Sequence, residues 1–184
     1  MKDMLKISSR LGLICAVAAI VLALVNSITA PEIAAYQKKV VEEALQQVSV
    51  GYEIGEEITS EDETISSIIG INKDGDLAGY VMNITANGYG GPMVILASFT
   101  STGEIIAVQL LTNAETPGLG KKAEDQSYMT KFIGSGDSTP VPVKKSNLTD
   151  AQADEISGAT VTFSGIAKAL QLGSSHAIQL GGTN

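Results

Sequence analysis

The dominant pattern in the chain is an unbroken apolar run from Leu11 to Val25, which Asn26-Ser27-Ile28-Thr29-Ala30 extends without a charge. Twenty helical residues at about 1.5 Å each span a hydrocarbon core of about 30 Å, so residues 11–30 are predicted to cross a bilayer as one transmembrane helix. A cleaved signal peptide has the same basic flank and apolar stretch. Cleavage after Ala30, however, would set Pro31 beside the scissile bond and Ile28 three positions back, so a retained anchor is expected. Cys15 follows bulky Ile14 and reads as a lipid-facing or helix-packing thiol. Downstream, Pro31 suits a first helical turn, and Ile33, Val40, Val41, Ala44, Leu45 and Val48 recur at helical spacing. Residues 31–48 are therefore predicted to form a helical stalk that continues the membrane helix.

The period then changes. Ser66–Ile71, Gly79–Thr85, Met93–Thr100 and Glu104–Leu111 are rich in Ile, Val and Thr and read as strands. Asn72-Lys73-Asp74-Gly75-Asp76 and Ser101-Thr102-Gly103 are turns that would fold them into antiparallel hairpins. Lys121 to Ile133 is predicted helical, and Pro140 and Pro142 break the stretch after it. Gly165 to Ile178 carries Ile166, Ala169, Leu170 and Ala177 on one side as a closing helix. The expected fold is α+β: an antiparallel sheet with flanking helices over residues 49–184, behind an anchor and stalk.

Charge fixes the expected topology. Lys2, Lys6 and Arg10 precede the apolar run, while Lys38 and Lys39 lie farther from it and beside Glu32, Glu42 and Glu43. The positive-inside rule puts residues 1–10 in the cytoplasm and everything after the span outside. The whole chain carries 12 Lys and Arg against 20 Asp and Glu, a formal charge of −8. From Pro31 onward the balance is 19 acids to 9 bases, or −10, which argues against nucleic-acid binding. One Cys and one His exclude a disulfide framework, a Cys/His zinc site, an iron–sulfur cluster and bis-histidine haem, and no metal site is expected. Glu53 to Glu63 holds six acids and no base, and reads as a solvated acidic loop or helix edge.

Three glycine-bearing segments interrupt the regular pattern: Gly88-Tyr89-Gly90-Gly91-Pro92, Glu115-Thr116-Pro117-Gly118-Leu119-Gly120, and Asp154-Glu155-Ile156-Ser157-Gly158-Ala159-Thr160. None has dinucleotide or P-loop spacing. The third places hydroxyls at the start of a predicted helix, where free backbone N–H groups favour a phosphate. The alternative is a plain helix cap by Ser157 or Thr162. Thr162 and Ser164 read as early helix residues whose hydroxyls satisfy free N–H groups.

That third segment resembles the D-x-x-[ST]-G-A-[ST] flavinylation motif of the FMN-binding domain family, and the other two look like further signatures of the same family. The chain is similar to the family of G subunits of Rnf electron-transport complexes; the C subunit of the sodium-translocating NADH:quinone oxidoreductase shares the domain. The resemblance implies covalent FMN joined by a phosphoester to Thr160, attached outside the cytoplasm by a flavin transferase. It further implies that Asp154 positions the incoming substrate or its metal, and that Ser157, Gly158 and Ala159 contact the phosphate. Glu115, Thr116, Gly118 and Leu119 would contact the flavin, with Tyr89 near the ring. The implied role is a redox subunit, not a stand-alone enzyme, of a complex with other membrane and peripheral subunits. The residues alone leave open an FMN domain of another extracellular reductase, or an anchored ectodomain that binds a ligand noncovalently.

The topology is open to a direct test. A cysteine at Asn184 is expected to react with a membrane-impermeant thiol reagent in intact cells; labelling that needs lysis would reverse the orientation.

Overall fold

A computed structural model describes residues 2–60 and 62–182. Met1, Glu61 of the acidic run, and the labelling position Asn184 with its neighbour Thr183 lie outside the described residues. The chain divides into two units, residues 1–41 and 42–184. The described residues of the first are all helical and belong to α1 (Lys2–Ser49), long and apolar enough to cross a membrane by length and composition. Leu11, Leu13, Ile14, Leu22 and Ile28 are all exposed, so this stretch has no core-facing stripe of the kind a soluble helix would bury. Pro31 lies inside α1, which runs unbroken from the apolar span into the expected stalk. A helix-interior proline forfeits one N–H bond, a loss that transmembrane helices tolerate with help from nearby Ser and Thr. The Ser27 and Thr29 hydroxyls donate to the carbonyls of Leu24 and Val25, at 2.8 and 2.9 Å, and not to the Ser27 carbonyl that Pro31 leaves without its N–H partner.

The second unit is built on a five-stranded antiparallel meander: β1 (Glu53–Ile58), β2 (Ile65–Lys73), β3 (Asp76–Asn87), β4 (Pro92–Thr100) and β5 (Ile105–Thr112). The four expected strands are present. The period-2 pattern sorts their side chains onto two cores. On one face Tyr80, Met82, Ile84 and Ala86 of β3 and Met93, Ile95, Ala97 and Phe99 of β4 meet α4 (Thr160–Gly181). On the other, Val81, Leu96 and Ile71 cover Ala44 and Val48 from the last turns of α1. Both sides of the sheet are buried, so its register is strongly specified.

Two expectations are corrected. The acidic run is not simply a loop or helix edge: Glu53–Ile58 is the edge strand β1, paired to β2 with a bulge between Ile54 and Glu57. Backbone pairing on one side is enough to hold it, and its largely exposed charged positions suit an edge that must not pair with other chains. Residues 121–133 are not one helix. A 3₁₀ turn (Gly120–Glu124) and a single α-turn, α2 (Gln126–Met129), are separated by extended Asp125. Splitting the helix lets Ala123, Tyr128, Met129 and Phe132 all reach the main core, where Phe132 stacks on Phe163 of α4 with ring centroids 5.2 Å apart. A short helix, α3 (Asp150–Glu155), capped by Thr149, leads into the third glycine segment. The closing helix exists and is longer than expected, beginning at Thr160.

How closely α4 lies on the sheet is set at Gly165, where a Cβ would stand 2.1 Å from the carbonyl oxygen of Asn87 at the end of β3. Helix propensity alone would make Gly165→Ala stabilising by roughly 1 kcal/mol. Backbone contact predicts the opposite sign: a net loss of about 1–3 kcal/mol, as for other overpacked sites. Urea unfolding of the full chain in detergent measures it, and a stabilised variant would contradict the packing described.

Candidate functional site

The three glycine-bearing segments, far apart in sequence, converge at the N-terminus of α4. The first is the four-residue tip of the β3–β4 hairpin, closed by Gly88 N–H donating to the Gly91 carbonyl at 2.9 Å. The second follows β5 and turns at Thr116-Pro117-Gly118-Leu119, where Leu119 N–H donates to the Thr116 carbonyl at 3.2 Å. Proline at the second position and Gly118 at φ +77° at the third are what a type II turn requires. The third connects α3 to α4, with Gly158 at φ +83° releasing the chain into the helix.

Glu115 joins these segments. Its side chain is buried, accepting from the Gly90 N–H at 3.1 Å and from the Thr162 hydroxyl at 3.0 Å. The backbone itself is positioned by Asn113, whose side-chain oxygen accepts the Glu115 N–H at 2.9 Å. Glycine is required on both sides of the carboxylate. A Cβ at Gly88 or Gly120 would lie 2.0 or 2.3 Å from its oxygens. The buried Tyr128 hydroxyl has no hydrogen-bond partner among the described residues. Burial first, and then the Glu115 charge, push that phenol far above its ordinary range.

Two clefts open on either side of Thr160 and Val161. One, of about 380 Å³, is lined by Tyr89, Glu115, Thr116, Leu119, Gly120 and the turn from Gly158 to Thr162. Tyr89, Leu119 and Val161 are 79%, 45% and 54% exposed, an apolar rim around a concave site. The other, of about 520 Å³, lies toward β3 and is lined by Thr64, Thr85, Asn87, Ser164 and Lys168 among others. α4 is 22 residues long, and its N-cap, Ala159, supplies no side-chain cap. Its first N–H groups therefore face the clefts with the positive end of the helix dipole behind them.

Of the residues singled out from sequence, Tyr89, Glu115, Thr116, Leu119, Gly158, Ala159 and Thr160 are gathered around one cleft. Asp154, Ser157 and Gly118 line neither cleft. Asp154 is exposed in the last turn of α3, and its carbonyl accepts the Ser157 N–H. The cap reading is overturned: neither Ser157 nor Thr162 caps α4. The Ser157 hydroxyl accepts from Lys145 at 3.3 Å, Thr162 donates to Glu115, and Ser164 donates to the Val143 carbonyl at 3.4 Å. Thr162 and Ser164 thus serve tertiary contacts instead of free helical N–H groups. Thr160 differs from all three. It is exposed, borders both clefts, and its hydroxyl has no hydrogen-bond partner among the described residues. Sequence reasoning missed Thr162 and Gly120 as parts of the site, because only the fold brings Glu115 between them.

A family model described as FMN-binding domain matches residues 88–173, which contain all three segments. A second, described as RnfG N-terminal region, matches residues 1–48. The G subunit of the ion-translocating oxidoreductase complex of Stutzerimonas stutzeri is 30% identical over 168 residues, covering 86% of this chain and 74% of that protein. The G subunit of the proton-translocating ferredoxin:NAD(+) oxidoreductase complex of Clostridium ljungdahlii is 26% identical, with 90% and 86% covered. The corresponding G subunit from Methanosarcina acetivorans is 28% identical over 92% of each chain.

The Glu115 brace yields a stability prediction. Thr162→Val should cost about 1–3 kcal/mol, because it strips a donor from a buried carboxylate. Combined with Glu115→Gln in a double-mutant cycle, the pair should show a coupling of about 0.5–3 kcal/mol. Independent, additive losses in urea unfolding would refute the brace.

Proposed function

The chain belongs to the family of G subunits of ion-translocating oxidoreductase complexes, and we propose that it is a membrane-anchored electron-carrier subunit bearing one FMN as a phosphoester on Thr160. The observation that carries the proposal is the state of the four hydroxyls in and after the motif. Ser157, Thr162 and Ser164 are engaged by protein partners, while Thr160 is exposed and unengaged at the uncapped start of a long helix. A phosphoester there retains a negative charge, which free N–H groups and a helix dipole stabilise.

The residues present fit the group. Tyr89, Leu119 and Val161 form an apolar rim that a flat ring system would cover, and clustered exposed apolar side chains of this kind mark binding sites. Thr116 and the Gly158–Ala159 backbone offer polar contacts beside the ring and phosphate, and Glu115 keeps the two sides of the cleft at a fixed distance. Asp154 and Ser157 lie outside the cleft, so their proposed part is in attachment, when a flavin transferase and its substrate approach from solvent. Gly118 acts through the turn it permits. FMN, when bound, supplies one- and two-electron exchange, which the chain's lone Cys and His do not.

In the proposed arrangement residues 11–30 anchor the chain with residues 1–10 in the cytoplasm. Residues 31–48 form the stalk, and residues 49–184 work outside the membrane beside the other members of the complex.

Denatured chain from cells with an active flavin transferase should fluoresce in the gel, with the modified peptide mapping to Thr160. Thr160→Ala should lose the signal and remain folded, since the exposed hydroxyl makes no hydrogen bond among the described residues and alanine suits a first helical position. Thr160→Ser should keep it, and Asp154→Asn should slow its appearance. A fluorescent Thr160→Ala band refutes the attachment residue, and a dark wild type refutes covalent flavin altogether.

A further inference from the structure

The loop that presents Thr160 is tied to the interior at a residue the motif does not specify. Glu155, the last residue of α3, occupies one of the two positions that D-x-x-[ST]-G-A-[ST] leaves open. Its carboxylate meets the Lys131 ammonium at 2.5 Å. The two ends of that pair are unequal: the Glu155 side chain is 61% exposed and the Lys131 side chain only 2%. Among the described residues Lys131 has no other ion-pair partner. Its ammonium also lies over the Tyr128 ring, so one carboxylate and one aromatic face replace the water it has lost.

A buried ammonium is a poor way to gain stability. Removing it from water largely offsets what its partner returns, and a well-packed apolar side chain often serves as well. Methionine at 131 would fill similar space without that penalty. What the charge adds is direction, because a buried ammonium with one carboxylate in reach favours one placement of that carboxylate. Placement is what the loop needs. Ile156 is fully buried and fixes its depth, but Gly158, at φ +83°, lets the backbone beyond it swivel. Lys145 steadies Ser157 by an exposed contact at 3.3 Å, and Lys131 holds Glu155 from the interior.

We propose that Lys131 is a positioning residue for flavin attachment: through Glu155 it locks residues 155–159 in the orientation that presents Thr160. The proposal rests on attachment at Thr160. There the Thr160 hydroxyl oxygen bonds to the phosphorus on the FMN side of FAD, the pyrophosphate P–O bond breaks, AMP leaves, and the hydroxyl proton passes to a base of the transferase. Lys131 lines neither cleft and touches none of these atoms. It acts before they meet, by presenting the hydroxyl on a loop that is already ordered.

Two measurements on the full-length chain in detergent, prepared without flavin, test this. Amide hydrogen exchange reads the lock by itself. In Lys131→Met the Ser157 and Ala159 N–H groups, which donate to the Asp154 and Ile156 carbonyls, should exchange about tenfold faster or more, while those of β3 and β4 keep the wild-type rate. A lysine that only stabilised the fold would speed all of them together. Addition of a flavin transferase and FAD then reads attachment. Its maximal rate should fall about tenfold or more, with KM for FAD unchanged. Glu155→Gln, at an exposed side chain, should move both readouts in the same direction, and it decides the matter if Lys131→Met does not fold. Wild-type exchange at Ser157 and Ala159 in the variants overturns the lock, and faster exchange with an unchanged attachment rate overturns its positioning role. A wild type that takes no flavin, or takes it at another residue, removes the attachment at Thr160 instead, and the exchange measurement still decides whether Lys131 holds the loop.

Discussion

A carboxylate removed from water must find donors or shed its charge, and the site in this protein is organised around that constraint. Glu115 finds its donors in the backbone of the β3–β4 tip and in the hydroxyl of Thr162 on α4. Three segments from distant parts of the chain are thereby held at hydrogen-bond distance. The glycines at 88 and 120 are there because the carboxylate fills the space a side chain would need. Without that brace the hairpin tip, the Thr-Pro-Gly-Leu turn and the start of α4 would be three loops. With it they are the walls of one cleft.

The brace also explains a division of labour among hydroxyls that look alike in sequence. Thr160 and Thr162 are two residues apart on a helix, hence about 200° apart around its axis, and cannot face the same way. One is drawn into the interior by Glu115; the other is left facing solvent at the helix end. The same geometry leaves Lys168 on the Thr160 side of α4, lining the cleft toward β3.

Electrostatics adds a second layer. The unit from residue 42 onward is strongly acidic, yet six of its seven lysines fall between residues 121 and 168, in the segments that frame the site and in α4 itself. Lys131 pairs with Glu155 of the motif segment and lies over the Tyr128 ring, 4.6 Å from its centroid, while Lys145 reaches Ser157. Cations thus hold the motif loop in place from two sides.

Local pattern was enough to determine the apolar span, the α+β class, four of the five strands and the residues of the motif, because each depends on periodicity or on residues adjacent in the chain. It misled where the outcome is set by partners elsewhere. β1 carries a loop-like composition and is a strand only because β2 offers its backbone. The helix expected over 121–133 is broken because four apolar side chains must reach one core. At the site, the motif pointed to Thr160, but the reason it is available while Thr162 is not lies in a contact across 47 residues. Only the tertiary structure could supply that contact, since a buried charge chooses its partners by distance in space and not along the chain.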